Sequence, residues 1–364
     1  MDVTALLPIR PAAAAPAAAT PRSFADRRRI ADRVFRGALL FNAALTVFWL
    51  ALLLTGGGTI FFKDYAVTIE SFGRIAAGVG IMFVLWGFIW WGVKAALLKY
   101  FVGFSKEDRR RAFASRMDAP GFDVVDFVAR YSERRIRIAD MVGRRGRFVT
   151  IASAGFLYMY FHVGEEPTQG FVTGFLAENL FDAIATNWIV LAFYYGNGFL
   201  AAAFYGPQSR VMDGVLARAN CLLIFMLWTA FKFLMVPMGL WLAAMFPPQQ
   251  FAPLFALIWG SYLACDAGAE IGGSIYGRQT LRVWGIGDVN RKSIGGTVTG
   301  FVASVALCVA VIAANDLPAV WYGLALAISI SNTALELFSP RGTDDFTMAT
   351  SNALLCCAFG LAIA

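Results

Sequence analysis

The sequence predicts an all-α protein: a polytopic transmembrane helical bundle of about nine spans, eight to ten in all, with a cytoplasmic N-terminus. Three observations lead there. Hydrophobic residues make up 59% of the 364 residues and charged residues only 15%, too little polar surface to cover a soluble globule. Apolar runs recur at the length that a hydrocarbon core of ~30 Å demands of a helix, roughly 20 residues. Basic residues collect on alternate loops, the pattern that sets orientation in a membrane.

Residues 1–34 form a tail. Its opening, "MDVTALLPIRPAAAAPAAAT", is Ala/Pro low complexity without the charged-then-apolar order of a signal peptide, and reads as disordered. Arg22, Arg27, Arg28, Arg29, Arg33 and Arg36 follow and hold this end in the cytoplasm. Runs at 35–56 and 75–98 predict the first two spans, within a unit covering 35–103. Between them "GGGTIFFKDYAVTIESF" carries Lys63 as its one basic residue, which places it outside.

Residues 104–147 form a basic cytoplasmic segment, led in by Lys94 and Lys99 and carrying Lys106, Arg109, Arg110, Arg111 and the arginines from 130 to 147. Within it, "DVVDFVARYSERRIRIADMV" sets Val124, Phe127, Val128 and Tyr131 on one helical face opposite arginines, as in a helix lying along a membrane surface.

Residues 148–364 then form a transmembrane domain, with runs at 148–163, 181–206, 219–246, 253–275, 294–314, 317–338 and 347–364. The third span is short and the fifth long. "GEEPTQG" carries only acid and faces out; Arg210 and Arg218, the stretch from Arg278 to Lys292, and Arg341 face in, which leaves the C-terminus outside.

The net charge of +7 is accounted for by arginines near anionic headgroups and implies no nucleic acid. Cys221, Cys265, Cys308, Cys356 and Cys357 show no C-x-x-C spacing and read as small buried hydrophobes rather than a zinc or disulfide framework. His162 is the only histidine, so histidine-based nucleophile or metal chemistry has little to build on. Trp90, Trp91, Trp321 and Tyr322 lie near span ends and read as interface anchors. Lys232, mid-span in "TAFKFLMV", either pairs with a carboxylate or snorkels.

The stretch "CDAGAEIGGSIYGRQTLRVWGIGDVNRKSIGG", from Cys265 to Gly296, does not fit an ordinary span. Asp266, Ala269, Gly273 and Gly277 share one helical stripe, acidic at one end and nearly without side chains below. Small residues let membrane helices approach closely. A carboxylate at membrane depth is expensive, and such groups usually face a polar cavity with a task. Beyond the helix, Gly277-Arg278, Gly285, Gly287, Arg291-Lys292-Ser293 and Gly295-Gly296-Thr297 offer amides, cations and hydroxyls suited to phosphate oxygens, near the positive end of the next helix. A second acidic site, Glu336 with Asp344-Asp345, falls at span ends on the same side as Asp266. Carboxylates beside a phosphate loop imply a divalent cation such as Mg²⁺.

At these residues the chain resembles a known family. "D-A-G-A-E-I-G-G-S-I-Y-G-R" resembles the Asp-x-x-Ala-x-x-x-Gly-x-x-x-Gly-Lys/Arg segment of the dolichol kinase, phytol kinase and CTP-dependent diacylglycerol kinase family. "R-K-S-I-G-G-T" and "E-L-F-S-P-R-G-T-D-D-F-T-M-A" resemble its Lys-Ser-x-Glu-Gly-Ser and Glu-x(n)-Asp-Asn-Leu-Thr-Val-Pro blocks, in the same order. The likeness covers about residues 252–364, the expected catalytic core. This sequence departs from the family at Cys265 for glycine, Gly295 for an acidic residue, Asp345 for asparagine and Ala349 for proline.

The resemblance implies transfer of the γ-phosphoryl group of a nucleoside triphosphate, CTP favoured over ATP, to a lipid alcohol such as a polyprenol, a phytol-like isoprenoid or diacylglycerol. It implies Mg²⁺ on Asp266 and Asp344, and Glu336 or Asp266 taking the hydroxyl proton. Donor phosphates or nucleoside would lie along Gly273, Gly277, Arg278, Lys292, Ser293, Gly295, Gly296, Thr297 and Asp345. The expected setting is a bacterial inner membrane with the site on the cytoplasmic face. A phosphatidate cytidylyltransferase would share the nucleotide-and-metal logic but release pyrophosphate, and a transporter would use the same charges as an ion path.

Overall fold

The computed structural model describes residues 24–62, 65–114, 129–162, 177, 211, 234–235, 237–277, 279–283, 290–339 and 343–363. Most of them are helical. In chain order the elements are α1 (Phe24–Thr55), hairpin strands β1 (Thr59–Phe62) and β2 (Tyr65–Thr68), α2 (Ile69–Ala96), α3 (Lys106–Ala114) and α4 (Glu133–His162). They continue with α5 (Phe251–Tyr276), strands β3 (Thr280–Val283) and β4 (Asn290–Ser293), α6 (Ile294–Ala314), α7 (Val320–Phe338) and α8 (Asp344–Ile363).

Among the described residues five stretches are long and apolar enough to cross a membrane: Gly80–Val102, Phe251–Tyr276, Ile294–Ala314, Val320–Phe338 and Asp344–Ile363. A shorter apolar helix covers Ala43–Thr55. The chain is therefore a helical membrane protein by length and composition. The run expected at 181–206 lies outside the described residues, as do most of 219–246, Lys232 included. The run at 148–163 forms the second half of α4.

Burial along these helices is inverted relative to a soluble bundle. On α6 the inward positions are Gly296, Gly300, Ser304, Cys308 and Ile312, while Val298, Val302 and Val309 are exposed. Small and polar residues pack against neighbouring helices and branched aliphatics face outward, as expected where lipid is the solvent. The α5–α6 contact depends on this: a Cβ on Gly268 would come within 2.9 Å of the Thr299 carbonyl oxygen, and one on Gly300 within 2.8 Å of the Cys265 carbonyl oxygen.

A polar seam crosses the middle of the core formed by α5–α8. Asn332 on α7 donates to Ser261 Oγ at 3.1 Å, and Asn352 on α8 donates to Ser261 Oγ at 3.1 Å and to the Ile258 carbonyl at 3.0 Å. Ile258 belongs to a π-helical turn in α5, Ala256–Gly260. Such a turn breaks the regular backbone ladder and exposes carbonyls to side-chain donors. Away from lipid, these hydrogen bonds fix how the helices sit against one another.

The first half of the chain has its own small core. Lys94, expected as a membrane-side positive marker, is instead buried against Asp140 on α4 at 2.9 Å, with the pair's side chains 1% and 4% exposed. Asp140 also accepts from the Val211 amide at 2.8 Å. Gly146 on α4 leaves the space that the Trp90 ring occupies. Of the expected amphipathic face, Val124, Phe127 and Val128 lie outside the described residues; Tyr131 sits in the turn before α4, its ring 4.4 Å from that of Phe104.

Two features depart from expectation. Trp321, expected as an interface anchor, is 1% exposed and packs against Phe246 and Phe359, because it lies on the inward face of α7 while Val320 and Tyr322 beside it are exposed. The two hairpins were not anticipated in an all-α chain. The apolar and β-branched strands β1 and β2 follow Gly57 and Gly58, whose φ of 60° and 89° reverse the chain after α1. The β3–β4 pair joins α5 to α6 in the register Leu281↔Lys292 and Thr280↔Ser293.

Candidate active site

Five elements from distant parts of the chain meet at one end of the α5–α8 core. From α5 come Asp266 and Glu270, one helical turn apart on the same face. Asp266 is 6% exposed and stands ten residues before Tyr276, about 15 Å below the helix end at 1.5 Å per residue. From the last turn of α7 comes Glu336, 7% exposed, and from the first turn of α8 come Asp344 and Asp345. Carboxylate oxygens of Asp266, Glu336 and Asp344 all lie within 4.8 Å of one another.

Lys292 enters from the hairpin. Its place at the end of β4, just before α6, directs it across the core, where it pairs with Glu336 and lies 3.7 Å from Asp344. Burial disfavours its charge, but the Glu336 and Asp344 carboxylates more than offset this and hold the ammonium above the ordinary lysine range.

The sequence reading missed the fifth contribution, from α4. Arg145 forms ion pairs with both Asp266 and Glu270, and Arg144 reaches Glu270 at 3.0 Å. Arg134, further back on α4, donates to the Ile275 carbonyl at 3.5 Å. These arginines look in sequence like the others of a basic cytoplasmic segment. The one available signal was the arginine pair standing next to an apolar run.

Asp344 and Asp345 are neighbours with different surroundings. Asp344 lies on the Lys292 side, whereas Asp345 is within electrostatic reach of Arg145 and Arg144 as well as Asp266. Among the described residues five carboxylates, Asp266, Glu270, Glu336, Asp344 and Asp345, thus share three cations, Arg144, Arg145 and Lys292. Carboxylates grouped as closely as Asp266, Glu336 and Asp344 require a cation or protons among them. The donor set, hard carboxylate oxygens grouped at close range, fits one divalent cation such as Mg²⁺.

The expected phosphate-binding residues divide. Ser293 is the N-cap of α6 and accepts from the Gly296 amide at 3.1 Å; Thr297 donates back to the Ser293 carbonyl at 3.0 Å. The Ile294 amide donates to the Gln279 carbonyl at 3.2 Å. The hydroxyls and some amides at this helix end therefore serve the α5–α6 junction. Gly273, Gly277, Gly295 and Gly296 line that junction too: a Cβ on Gly296 would stand 2.7 Å from the Ala269 carbonyl oxygen, and one on Gly295 3.1 Å from Tyr276 Cβ. Arg278 lies outside the described residues.

Fold and site together define a helical membrane protein with a buried, mixed-charge cluster at one end of its core. Comparison with models of protein families, with curated proteins and with solved structures finds no match to the chain.

Proposed function

We propose that this protein is a membrane lipid kinase, transferring the γ-phosphoryl group of a nucleoside triphosphate to a lipid alcohol at the cytoplasmic face of a bacterial inner membrane. The observation that carries the reading is the close grouping of Asp266, Glu336 and Asp344 beside Lys292. The same residues anchor the three sequence blocks that resemble the polyprenol, phytol and diacylglycerol kinase family, whose members favour CTP. Phosphoryl transfer needs positioning and charge neutralisation rather than a covalent intermediate, so a site without histidine suits it.

The roles follow from the geometry. Mg²⁺, when held by Asp266 and Asp344, supplies neutralisation of the donor's phosphate oxygens. Lys292 adds a positive charge to those oxygens. Glu336 is the better placed proton acceptor, because Asp266 is engaged by Arg145 while Glu336, held by Lys292 through Oε1, keeps a buried Oε2 with no hydrogen-bond partner among the described residues. In the step proposed, the lipid hydroxyl oxygen bonds to the γ-phosphorus, the bond from that phosphorus to the β–γ bridging oxygen breaks, and the hydroxyl proton passes to Glu336. The products are a lipid monophosphate and a nucleoside diphosphate. The lipid enters sideways from the bilayer.

Incubating purified protein with CTP, ATP or UTP, Mg²⁺ and a bacterial lipid extract tests this reading. Release of nucleoside diphosphate supports it. Release of pyrophosphate instead assigns the site to a cytidylyltransferase, and neither release leaves no kinase to defend.

A further inference from the structure

We propose that Arg145 on α4 binds a phosphate oxygen of the metal-bound donor, so that the basic helix outside the family-like region completes the nucleotide site. This rests on the kinase reading above. The guanidinium is fixed on two edges: Nη1 pairs with Asp266 and Nε with Glu270, which Arg144 holds from its other side. Its remaining nitrogen, Nη2, is buried and has no hydrogen-bond partner among the described residues. Orphaned buried donors are costly and rare, and an arginine on two carboxylates ordinarily uses all its faces.

A second orphan lies in the same cluster. Glu336 Oε2, on a residue 7% exposed, is an acceptor without a donor among the described residues. One site thus holds an unused N–H and an unused carboxylate oxygen, and a phosphoryl transfer brings the complement of each: a phosphate oxygen and a hydroxyl. Charge narrows the ligand further. Carboxylate oxygens of Asp266, Glu336 and Asp344 stand within 4.8 Å of one another, so a bare anion is repelled. An anion that arrives with a divalent cation is not. Arginine's planar, rigidly spaced donors suit phosphate, and Lys292 stands on the opposite side of the carboxylates to share the load.

Titration of the full chain in detergent micelles with Mn²⁺ alone, and with tripolyphosphate at saturating Mn²⁺, tests the assignment. Arg145→Gln removes the charge and Arg145→Lys keeps it in a compact ammonium that lacks the planar span needed to hold Asp266, Glu270 and a phosphate at once. The expected result for both is a loss of about tenfold or more in tripolyphosphate affinity, the scale of one charge-assisted hydrogen bond. Mn²⁺ affinity should stay within about twofold in Arg145→Lys and rise in Arg145→Gln, since a positive charge has left Asp266. Should Arg145→Gln fail to fold, Arg145→Lys carries the comparison. Equal losses for Mn²⁺ and tripolyphosphate would make Arg145 a positioning residue for Asp266 and overturn the proposal, as would unchanged tripolyphosphate affinity. Asp344→Asn separates the levels. If it leaves Mn²⁺ binding intact, the kinase reading fails; if it abolishes Mn²⁺ binding while the Arg145 variants match wild type, only the Arg145 assignment fails.

Discussion

Lys292, at the end of the β3–β4 hairpin, forms an ion pair with Glu336 at the end of α7, and its Nζ lies 3.7 Å from Asp344 at the start of α8. One side chain therefore ties a loop to the facing ends of two helices that the chain reaches more than forty residues later. With donor phosphates bound, the same ammonium is in place to face them.

Lys292→Ala should cost about a hundredfold or more in turnover, the scale of losing one preorganised charge-stabilising group. Arg291→Ala should lose far less. Removing Lys292 also strands Glu336 as a buried carboxylate, which destabilises by about 3–5 kcal/mol. Adding Glu336→Gln to Lys292→Ala should restore much of the melting temperature but none of the activity. Thermal melts and turnover of the three variants check this; equal activity loss in Lys292→Ala and Arg291→Ala would reduce the loop to a topology signal.

The adjacent acids should behave differently. Asp344→Asn removes a metal ligand's charge and should abolish transfer, whereas Asp345→Asn restores the residue found in the resembling family and should keep most of it. Turnover at a series of Mg²⁺ concentrations decides between them. A dead Asp345→Asn beside an active Asp344→Asn would move the metal role to Asp345.

The legibility of this site in sequence differed from residue to residue. Asp266, Glu336 and Asp344 stand out because each is a carboxylate against an apolar run, and the expense of such placement is readable without coordinates. Lys292 stood out through its glycine-flanked loop. Arg145 did not, because its function depends on α4 meeting α5, a contact between residues more than a hundred positions apart, and one arginine in a basic segment resembles the next. For the same reason Lys94 read as a loop charge when it is the buried partner of Asp140. Ser293 and the glycines offered two readings at once, since a helix N-terminus built for close packing and one built for phosphate use the same residue types.

The packing role of these glycines has its own test. Gly268→Ala and Gly300→Ala place a methyl against carbonyl oxygens at 2.9 Å and 2.8 Å and should destabilise by about 1–3 kcal/mol, the usual cost of overpacking. Gly323→Ala, where an added Cβ meets nothing within 4 Å, should be neutral or stabilising by about 0.5–1 kcal/mol. Melting temperatures in a fixed detergent compare them. A Gly268→Ala protein as stable as Gly323→Ala would contradict the α5–α6 contact.

The small core around α3 should weaken in acid. Burial pushes the Asp108 carboxyl up, but hydrogen bonds from Tyr131 and Ser105 and the Arg130 guanidinium pull it further down, so it sits below the usual carboxylate range. A carboxyl lowered by folding stabilises above its unfolded pKa, about 3.9, and that contribution is lost as pH falls through the folded value. The melting-temperature gap between wild type and Asp108→Asn should be open near neutral pH and close below about pH 4. A gap independent of pH would contradict the assignment.

The central claim is that the Asp266–Glu336–Asp344 cluster moves a γ-phosphoryl group onto a lipid hydroxyl. Supplying γ-labelled CTP with a lipid extract and following label into the organic phase measures that directly, for wild type, Asp266→Asn and Asp344→Asn. The account predicts Mg²⁺-dependent label in a lipid monophosphate with wild type and none with either variant. Label that stays in the aqueous phase with wild type, or reaches lipid equally well without Asp344, would contradict it.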